Sequence, residues 1–90
     1  MSKILTRASA GTMESSDVYV EIEPLEDALD VQIQSVVQAQ FGEAIEAVVR
    51  EVLAEQAVTQ ARICVTDRGA LDCVIRARVE TAVLRGKEQS

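Results

Sequence analysis

In the sequence DVYVEIEPLEDALDVQIQ, residues 17–34, two segments of alternating apolar and polar residues flank a proline. The first segment places β-branched side chains at every second position: Val18, Val20 and Ile22. This is the period of a strand with one buried face. Pro24 cannot donate to a strand ladder, so a loop is predicted after it. The alternation resumes from Leu29 to Gln34, and the two strands are predicted to pair as an antiparallel hairpin.

A helical period follows the second strand. Apolar residues recur at spacings of three and four, which predicts an amphipathic helix from about residue 36 to residue 56. Its apolar face consists of Phe41, Ala44, Ile45, Val48, Val49, Val52 and Leu53. Ser35 and Gln38 fit a capping box at its start, and Glu46 precedes Arg50 by the four residues of a favourable ion pair.

The last third of the chain repeats the change from strand period to helix period. Ala61, Ile63 and Val65 alternate before the turn sequence Asp-Arg-Gly, which predicts a further strand. A second helix is predicted after it, with an apolar face of Leu71, Val74, Ile75, Val79, Ala82 and Val83. Asp72 in its first turn and Arg85 in its last turn suit the helix dipole.

These segments predict one α+β domain over residues 1–90. A small antiparallel sheet of three to four strands packs against two amphipathic helices, in the order β-β-β-α-β-α. The first strand comes from residues 4–10, ILTRASA, which form either a strand or a tail docked on the sheet edge. Residues 1–7 and 86–90 are expected to be loosely ordered.

The charge distribution narrows the class of partner. The formal net charge is −6, and residues 14–55 hold eleven acids against one base. A surface of this sign disfavours nucleic acid, which selects basic proteins, and suits a basic patch on a partner protein. The chain shows no apolar run of signal-peptide or membrane-spanning length, so a cytoplasmic protein without membrane contact is expected.

Catalytic and metal-binding patterns are missing from the sequence. It contains no histidine, which removes the usual general base near neutral pH, and its four glycines form no phosphate-binding loop. Glu26 and Asp27 lack the spacing of a calcium loop and are interpreted as solvated charges. Cys64 and Cys73 fit no metal motif, and a reduced buried pair is favoured over a disulfide or redox role. We therefore predict no catalytic residue and no metal site.

Two adjacent serines, Ser15 and Ser16, stand in AGTMESSDVYVEI, residues 10–22, just before the first clear strand. One interpretation is a turn whose short polar side chains satisfy their own backbone. The other is that one serine is exposed and modified by a separate enzyme, since a loop beside a rigid strand presents a hydroxyl well. The pattern alone favours the first interpretation.

Three blocks, AGTMESSDVYVEIEPL, DVQIQSVVQAQFGEAI and VTDRGALDCVIRARVE, resemble in order and spacing the acyl carrier proteins of citrate lyase, the gamma subunits of that complex. The resemblance covers about residues 8–84. It implies a 2'-(5''-phosphoribosyl)-3'-dephospho-CoA group bound covalently to Ser15 by a phosphodiester, within a frame of Gly11, Thr12, Glu14 and Asp17. Ser16 is the less favoured attachment point.

The resemblance also implies partners. A dedicated holo-carrier synthase attaches the arm, whose acetyl and citryl thioesters are presented to the transferase (alpha) and lyase (beta) subunits for cleavage of citrate to acetate and oxaloacetate. The carrier itself performs no bond chemistry. Two alternatives stay open: a carrier of the malonate decarboxylase type, which fits the Gly-Ala-Leu-Asp-Cys block less well, and an α+β interaction or regulatory domain with unmodified serines.

Two hypotheses concern charged side chains. Acids in the segment 14–55, Glu21, Glu23 and Glu26 among them, are expected to steer docking to basic surfaces of the catalytic subunits. Arg76 and Arg78 either contact the phosphates of the arm or a partner, or are partly solvated residues of a helix face, with Asp72 paired to Arg76.

Overall fold

The computed structural model describes residues 3–35 and 38–87. Its elements are β1 (Ala8–Gly11), β2 (Val18–Pro24), β3 (Leu29–Ser35), α1 (Gln38–Glu55), β4 (Ala61–Asp67) and α2 (Asp72–Lys87). The predicted α+β class and the order β-β-β-α-β-α are confirmed. Of ILTRASA, residues 8–10 belong to β1, and residues 4–7 precede this strand.

The sheet has the strand order β1-β2-β4-β3. β2 pairs antiparallel with both β1 and β4, whereas β3 pairs parallel with β4. The predicted hairpin between β2 and β3 is therefore wrong, because β4 lies between these two strands. The sheet is mixed rather than wholly antiparallel.

Two properties of the chain permit this arrangement. Four residues, 25–28, connect β2 to β3 and can reach about 13 Å when extended, whereas two strand spacings amount to about 9.6 Å. A parallel pair needs a long crossover, which the 18 residues of α1 supply between β3 and β4. The connection after β2 and the crossover helix together allow β4 to lie between β2 and β3.

β2 and β4 take the two central positions of the sheet, and the apolar side chains of their inward faces are fully buried: Val18, Val20 and Ile22 on β2, and Ala61, Ile63 and Val65 on β4. The inward residues of β3 are only half-buried, as suits an edge strand. Both helices cover this one face of the sheet, and the opposite face carries polar side chains. The buried core consists of Ile4, Ala10, Val18, Val20, Ile22, Ile45, Val49, Val52, Leu53, Val58, Ala61, Ile63, Val65, Ile75, Val79, Ala82 and Val83.

α1 confirms the predicted helix and, where its side chains are described, most of the predicted apolar face. Ile45, Val49, Val52 and Leu53 are buried, but Ala44 is exposed. The side chains of Gln38 and Phe41, like residues 36 and 37, lie outside the described part of the chain, so the capping box stays a prediction. The hydroxyl of Ser35 donates to Asp67 across 2.8 Å.

α2 begins one residue later than its apolar pattern suggests. Leu71, predicted on the core face, precedes the helix and is 72% exposed. The predicted charges at the two ends are confirmed, with Asp72 in the first turn and Arg85 in the last. The Leu71 carbonyl instead accepts from the amides of Val74 and Ile75, so this residue starts the helix rather than packing under it.

The two ends of the described chain are held together. Ile4 is buried, and the carbonyl of Gly86 accepts hydrogen bonds from the amides of Leu5 (2.9 Å) and Thr6 (3.1 Å). Gly86 is itself buried against Ile4. α2 thus continues to Lys87, and the segment before β1 packs on its last turn. Residues 1–2 and 88–90 lie outside the described part of the chain, so the loose ordering expected for residues 1–7 and 86–90 stays a prediction there.

Candidate functional site

Ser15 and Ser16 occupy the tight turn between β1 and β2, residues 14–17, which is called the serine turn below. The turn is closed by a hydrogen bond of 3.1 Å from the Asp17 amide to the Glu14 carbonyl, which puts the two serines at its central positions. Both side chains are exposed. Within residues 3–35 and 38–87 the Ser15 hydroxyl has no hydrogen-bond partner, so it stands free on a backbone that is anchored on both sides.

Ser16 takes a structural position that differs from that of Ser15. Its amide donates to the Arg68 carbonyl (2.8 Å), while the Arg68 amide donates to the Asp17 carbonyl (2.9 Å). Two residues of one strand therefore face a single residue of the other, which is a β-bulge. Ser16 has a φ of +67°, and bulges of this kind usually place glycine there.

Ser16→Gly is expected to raise the free energy of unfolding by about 0.5–1 kcal/mol. A left-handed conformation costs a residue with a side chain about 1–2 kcal/mol, and the greater freedom of glycine in the unfolded chain offsets about 0.4–1 kcal/mol of that gain. Urea unfolding followed by circular dichroism measures the change. Ser15→Gly is the matched control, since Ser15 is not left-handed and gains nothing. A loss of stability in Ser16→Gly would contradict the bulge.

Asp17 anchors the turn. Its carboxylate accepts hydrogen bonds from the Thr12 hydroxyl (2.7 Å), from the Val18 amide (2.7 Å) and, more distantly, from the Arg78 Nε (3.3 Å). The Thr12 and Val18 hydrogen bonds, with a smaller contribution from Arg78, lower the pKa of Asp17 to about 2. Asp17 is therefore a carboxylate across the neutral range and ties the turn to α2.

Gly11 allows β1 to enter the turn. Its φ is +91°, and a Cβ there would lie 1.8 Å from the Val18 carbonyl oxygen. Thr12 then donates to Asp17 and accepts from the Glu14 amide (3.2 Å). Gly11, Thr12 and Asp17 thus shape the backbone, whereas Glu14 contributes its carbonyl and leaves its side chain exposed.

A second turn supports the first. Asp67, 2% exposed, accepts from the Ser35 hydroxyl and from the Ala70 amide (2.9 Å), which folds the turn that carries Arg68. Gly69 in this turn has a φ of +93°, as the sequence Asp-Arg-Gly predicts. The backbone of Arg68 is therefore held on one side by the bulge at Ser16 and on the other by Asp67.

Arg76 and Arg78 of α2 have different partners in the structure. Arg76 bonds to Glu51 (2.8 Å) and Glu55 (2.9 Å) of α1, so the predicted pair with Asp72 is wrong: the carboxylates of the neighbouring helix compete successfully for its guanidinium. Arg78 reaches Asp17 of the serine turn. Sequence spacing revealed neither contact, because both join elements that are distant along the chain.

The acids proposed to steer docking differ in their surroundings. Glu21 pairs with Arg7 (2.9 Å) and Glu23 with Arg62 (3.3 Å), so these two carboxylates are partly neutralised within the chain. Glu26 is exposed in the loop after β2. Such exposed pairs add little stability but do reduce the local negative potential. The predicted pair of Glu46 and Arg50 is confirmed at 2.7 Å.

The prediction of a buried cysteine pair is wrong in its burial. Both thiols are free, but Cys64 is half-buried on the outer face of β4 and Cys73 is exposed on α2. Cys64 faces outward because the inward positions of β4 are Ile63 and Val65. Partial burial raises the pKa of the Cys64 thiol, which keeps it protonated and unreactive.

The chain is similar to known carrier proteins over almost its whole length. The family described as "Malonate decarboxylase delta subunit (MdcD)", of acyl carrier type, matches residues 5–86. The citrate lyase acyl carrier protein of Haemophilus influenzae strain PittEE is 54% identical over 88 residues, covering 98% of this chain and 92% of that protein. That of Klebsiella pneumoniae is 54% identical over 84 residues, covering 92% and 87%.

A solved structure has the same fold. One chain of a Pseudomonas malonate decarboxylase hetero-tetramer, crystallised in complex with malonate, superposes with a TM-score of 0.80 at 25% identity, covering 93% of this chain and 87% of that chain. In the part of the present chain that the structure describes, neither helix combines the length and apolarity that crossing a membrane requires.

Proposed function

The chain belongs to the family of citrate lyase acyl carrier proteins, and on this premise we propose that it is the carrier subunit of a citrate lyase and bears its prosthetic group on Ser15. The chain is a non-catalytic carrier. The observation that carries the proposal is the Ser15 hydroxyl, exposed and without a partner among the described residues, at the corner of a turn fixed by Asp17 and by the bulge at Ser16.

The surroundings of Ser15 fit a covalently attached group of the phosphoribosyl-dephospho-CoA type. Nothing in the described part of the chain covers the hydroxyl, so a phosphodiester there displaces no contact of the fold. Asp17 is a poor general base for the hydroxyl, because its pKa is about 2 and its carboxylate is occupied by Thr12 and Val18. Activation of the hydroxyl is therefore the work of a separate holo-carrier synthase.

The chain's own residues present the group rather than act on it. When bound, the arm supplies the thiol that carries acetyl and citryl groups as thioesters between the alpha and beta subunits. Tethering raises the effective concentration of the thioester at both active sites, provided that its base is well positioned. Gly11, Thr12, Asp17 and Arg78 give that base a defined direction by holding the turn on β2 and α2.

A carrier of the malonate decarboxylase type is the second candidate, favoured by the TM-score of 0.80 with a chain of that complex. The citrate lyase assignment is preferred because identity is 54% to citrate lyase carriers and 25% to the malonate decarboxylase chain. In either case the chain acts within a multi-subunit complex, which we place in the cytoplasm.

Mass spectrometry of the intact chain tests the proposal. Chain purified from its native host is expected to carry one phosphoribosyl-dephospho-CoA group, and peptide mapping of residues 8–23 is expected to locate it on Ser15. Co-expression with a citrate lyase holo-carrier synthase should produce the same added mass in a recombinant sample. An unmodified native chain would identify an interaction domain with bare serines, and a label on Ser16 would refute the assignment of the site.

A further inference from the structure

We propose that Arg68 binds the phosphate that joins the prosthetic group to Ser15, and so acts as the positioning residue for the base of the arm. The inference rests on the proposed function, and it identifies the side chain that binds the first phosphodiester of the group. The ligand is a phosphate ester of Ser15, and the binding group is a guanidinium carried by the turn that follows β4.

The backbone places Arg68 beside the attachment point. Its amide and carbonyl are both engaged by the bulge, through the Asp17 carbonyl at 2.9 Å and the Ser16 amide at 2.8 Å. Residues paired in this way have Cα atoms about 5.5 Å apart. Ser15 adjoins Ser16, so a phosphate on its hydroxyl falls within the length of an arginine side chain.

Arg68 is also chemically available. The other arginines all donate to an oxygen of the chain: Arg7, Arg50, Arg62, Arg76, Arg78 and Arg85. The Arg68 side chain is exposed and, within the described residues, makes no ion pair or hydrogen bond. The turn that carries it is nevertheless fixed by the buried Asp67, so its backbone is positioned and its guanidinium is uncommitted.

The charges of the serine turn favour a cation beside the phosphate. A phosphate on Ser15 stands next to Glu14, which is exposed, and close to Asp17, which is ionised. Like charges so close together repel, and such a phosphate disrupts its surroundings unless a basic group compensates it. Arg78 is already engaged by Asp17. Among the described residues, Arg68 is the other basic residue bonded to the turn, through its backbone, and its planar guanidinium suits phosphate oxygens.

The test uses a phosphate on Ser15 without the rest of the arm. Phosphoserine is incorporated at position 15 of the full chain by genetic code expansion, and its second pKa is measured by ³¹P NMR titration. This pKa lies near 6 in a free phosphoserine, and a neighbouring guanidinium lowers it. Arg68→Gln is expected to raise the second pKa by about 0.5 relative to the chain with Arg68, and Arg68→Lys to raise it by less.

Arg50→Gln is the matched control, because it removes the same charge from an exposed arginine whose contact is with Glu46 on α1. It is expected to change the phosphoserine pKa by less than about 0.1 at 0.1 M salt. Equal pKa values with and without Arg68, or an equal rise in Arg50→Gln, would overturn the inference. Thermal unfolding confirms that each variant is folded. Since the experiment needs no prosthetic group, its failure leaves the assignment of Ser15 as the attachment point intact.

Discussion

Ser15→Ala is expected to abolish attachment of the prosthetic group and, with it, citrate cleavage by the complex reconstituted with alpha and beta subunits. Without the tether the thioester is no longer delivered to the two active sites, and the loss of effective concentration predicts a fall in turnover of at least about 1000-fold. The intact mass should show no gain after incubation with the holo-carrier synthase, and coupled detection of oxaloacetate measures turnover.

The fold itself should not change in Ser15→Ala. The side chain is exposed and has no partner among the described residues, so the free energy of unfolding is expected to stay within about 0.5 kcal/mol. Ser16→Ala is the matched control, because it removes the neighbouring hydroxyl and leaves the one on Ser15. It should be modified and support turnover. Full turnover with Ser15→Ala would refute the proposed function.

Gly11→Ala is expected to lower the free energy of unfolding by about 3 kcal/mol or more. Its φ of +91° strains any side chain, and the added Cβ would meet the Val18 carbonyl oxygen at 1.8 Å, so β1 has to move away from β2. The dihedral strain alone amounts to about 1–2 kcal/mol, and the broken packing adds to it. Urea unfolding of the unmodified chain measures the total.

Gly69→Ala separates the two contributions. Gly69 has nearly the same φ, +93°, but no atom lies within 4 Å of the position that its Cβ would take. It should therefore show the dihedral strain without a clash, a net loss of about 0.5–1 kcal/mol once the reduced freedom of the unfolded chain is subtracted. If the two variants lost the same stability, the clash between Gly11 and Val18 would play no part in holding the serine turn.

Local patterns predicted the elements well because each pattern is a property of consecutive residues. The alternation around Val20, Ile33 and Ile63 gave the three longer strands, and the period through Val49 gave α1. Strand pairing, by contrast, depends on residues that are far apart in the sequence. A short connection after Pro24 favours a hairpin, but the pairing also depends on β4, which comes about thirty residues later in the chain and lies between β2 and β3.

The candidate site could also be predicted only in part. The position of Ser15 came from the resemblance of its surroundings to a family, while the structure adds why it stands apart from Ser16, whose left-handed backbone serves the bulge. Contacts of Arg68 and Arg78 with the turn could not be found from spacing, because they span about fifty and sixty residues of sequence. The sequence reveals such contacts only once strand order is known.

The packing of the segment after Lys3 on Gly86 determines how this carrier can be handled. α2 starts near the serine turn and, at about 1.5 Å per residue, its 16 residues end about 24 Å away, beside Leu5 and Thr6. A fluorophore or a surface anchor attached to the amine of Lys3 or Lys87 therefore lies at the far pole of the molecule. Immobilised through such a group, the carrier points its serine outward.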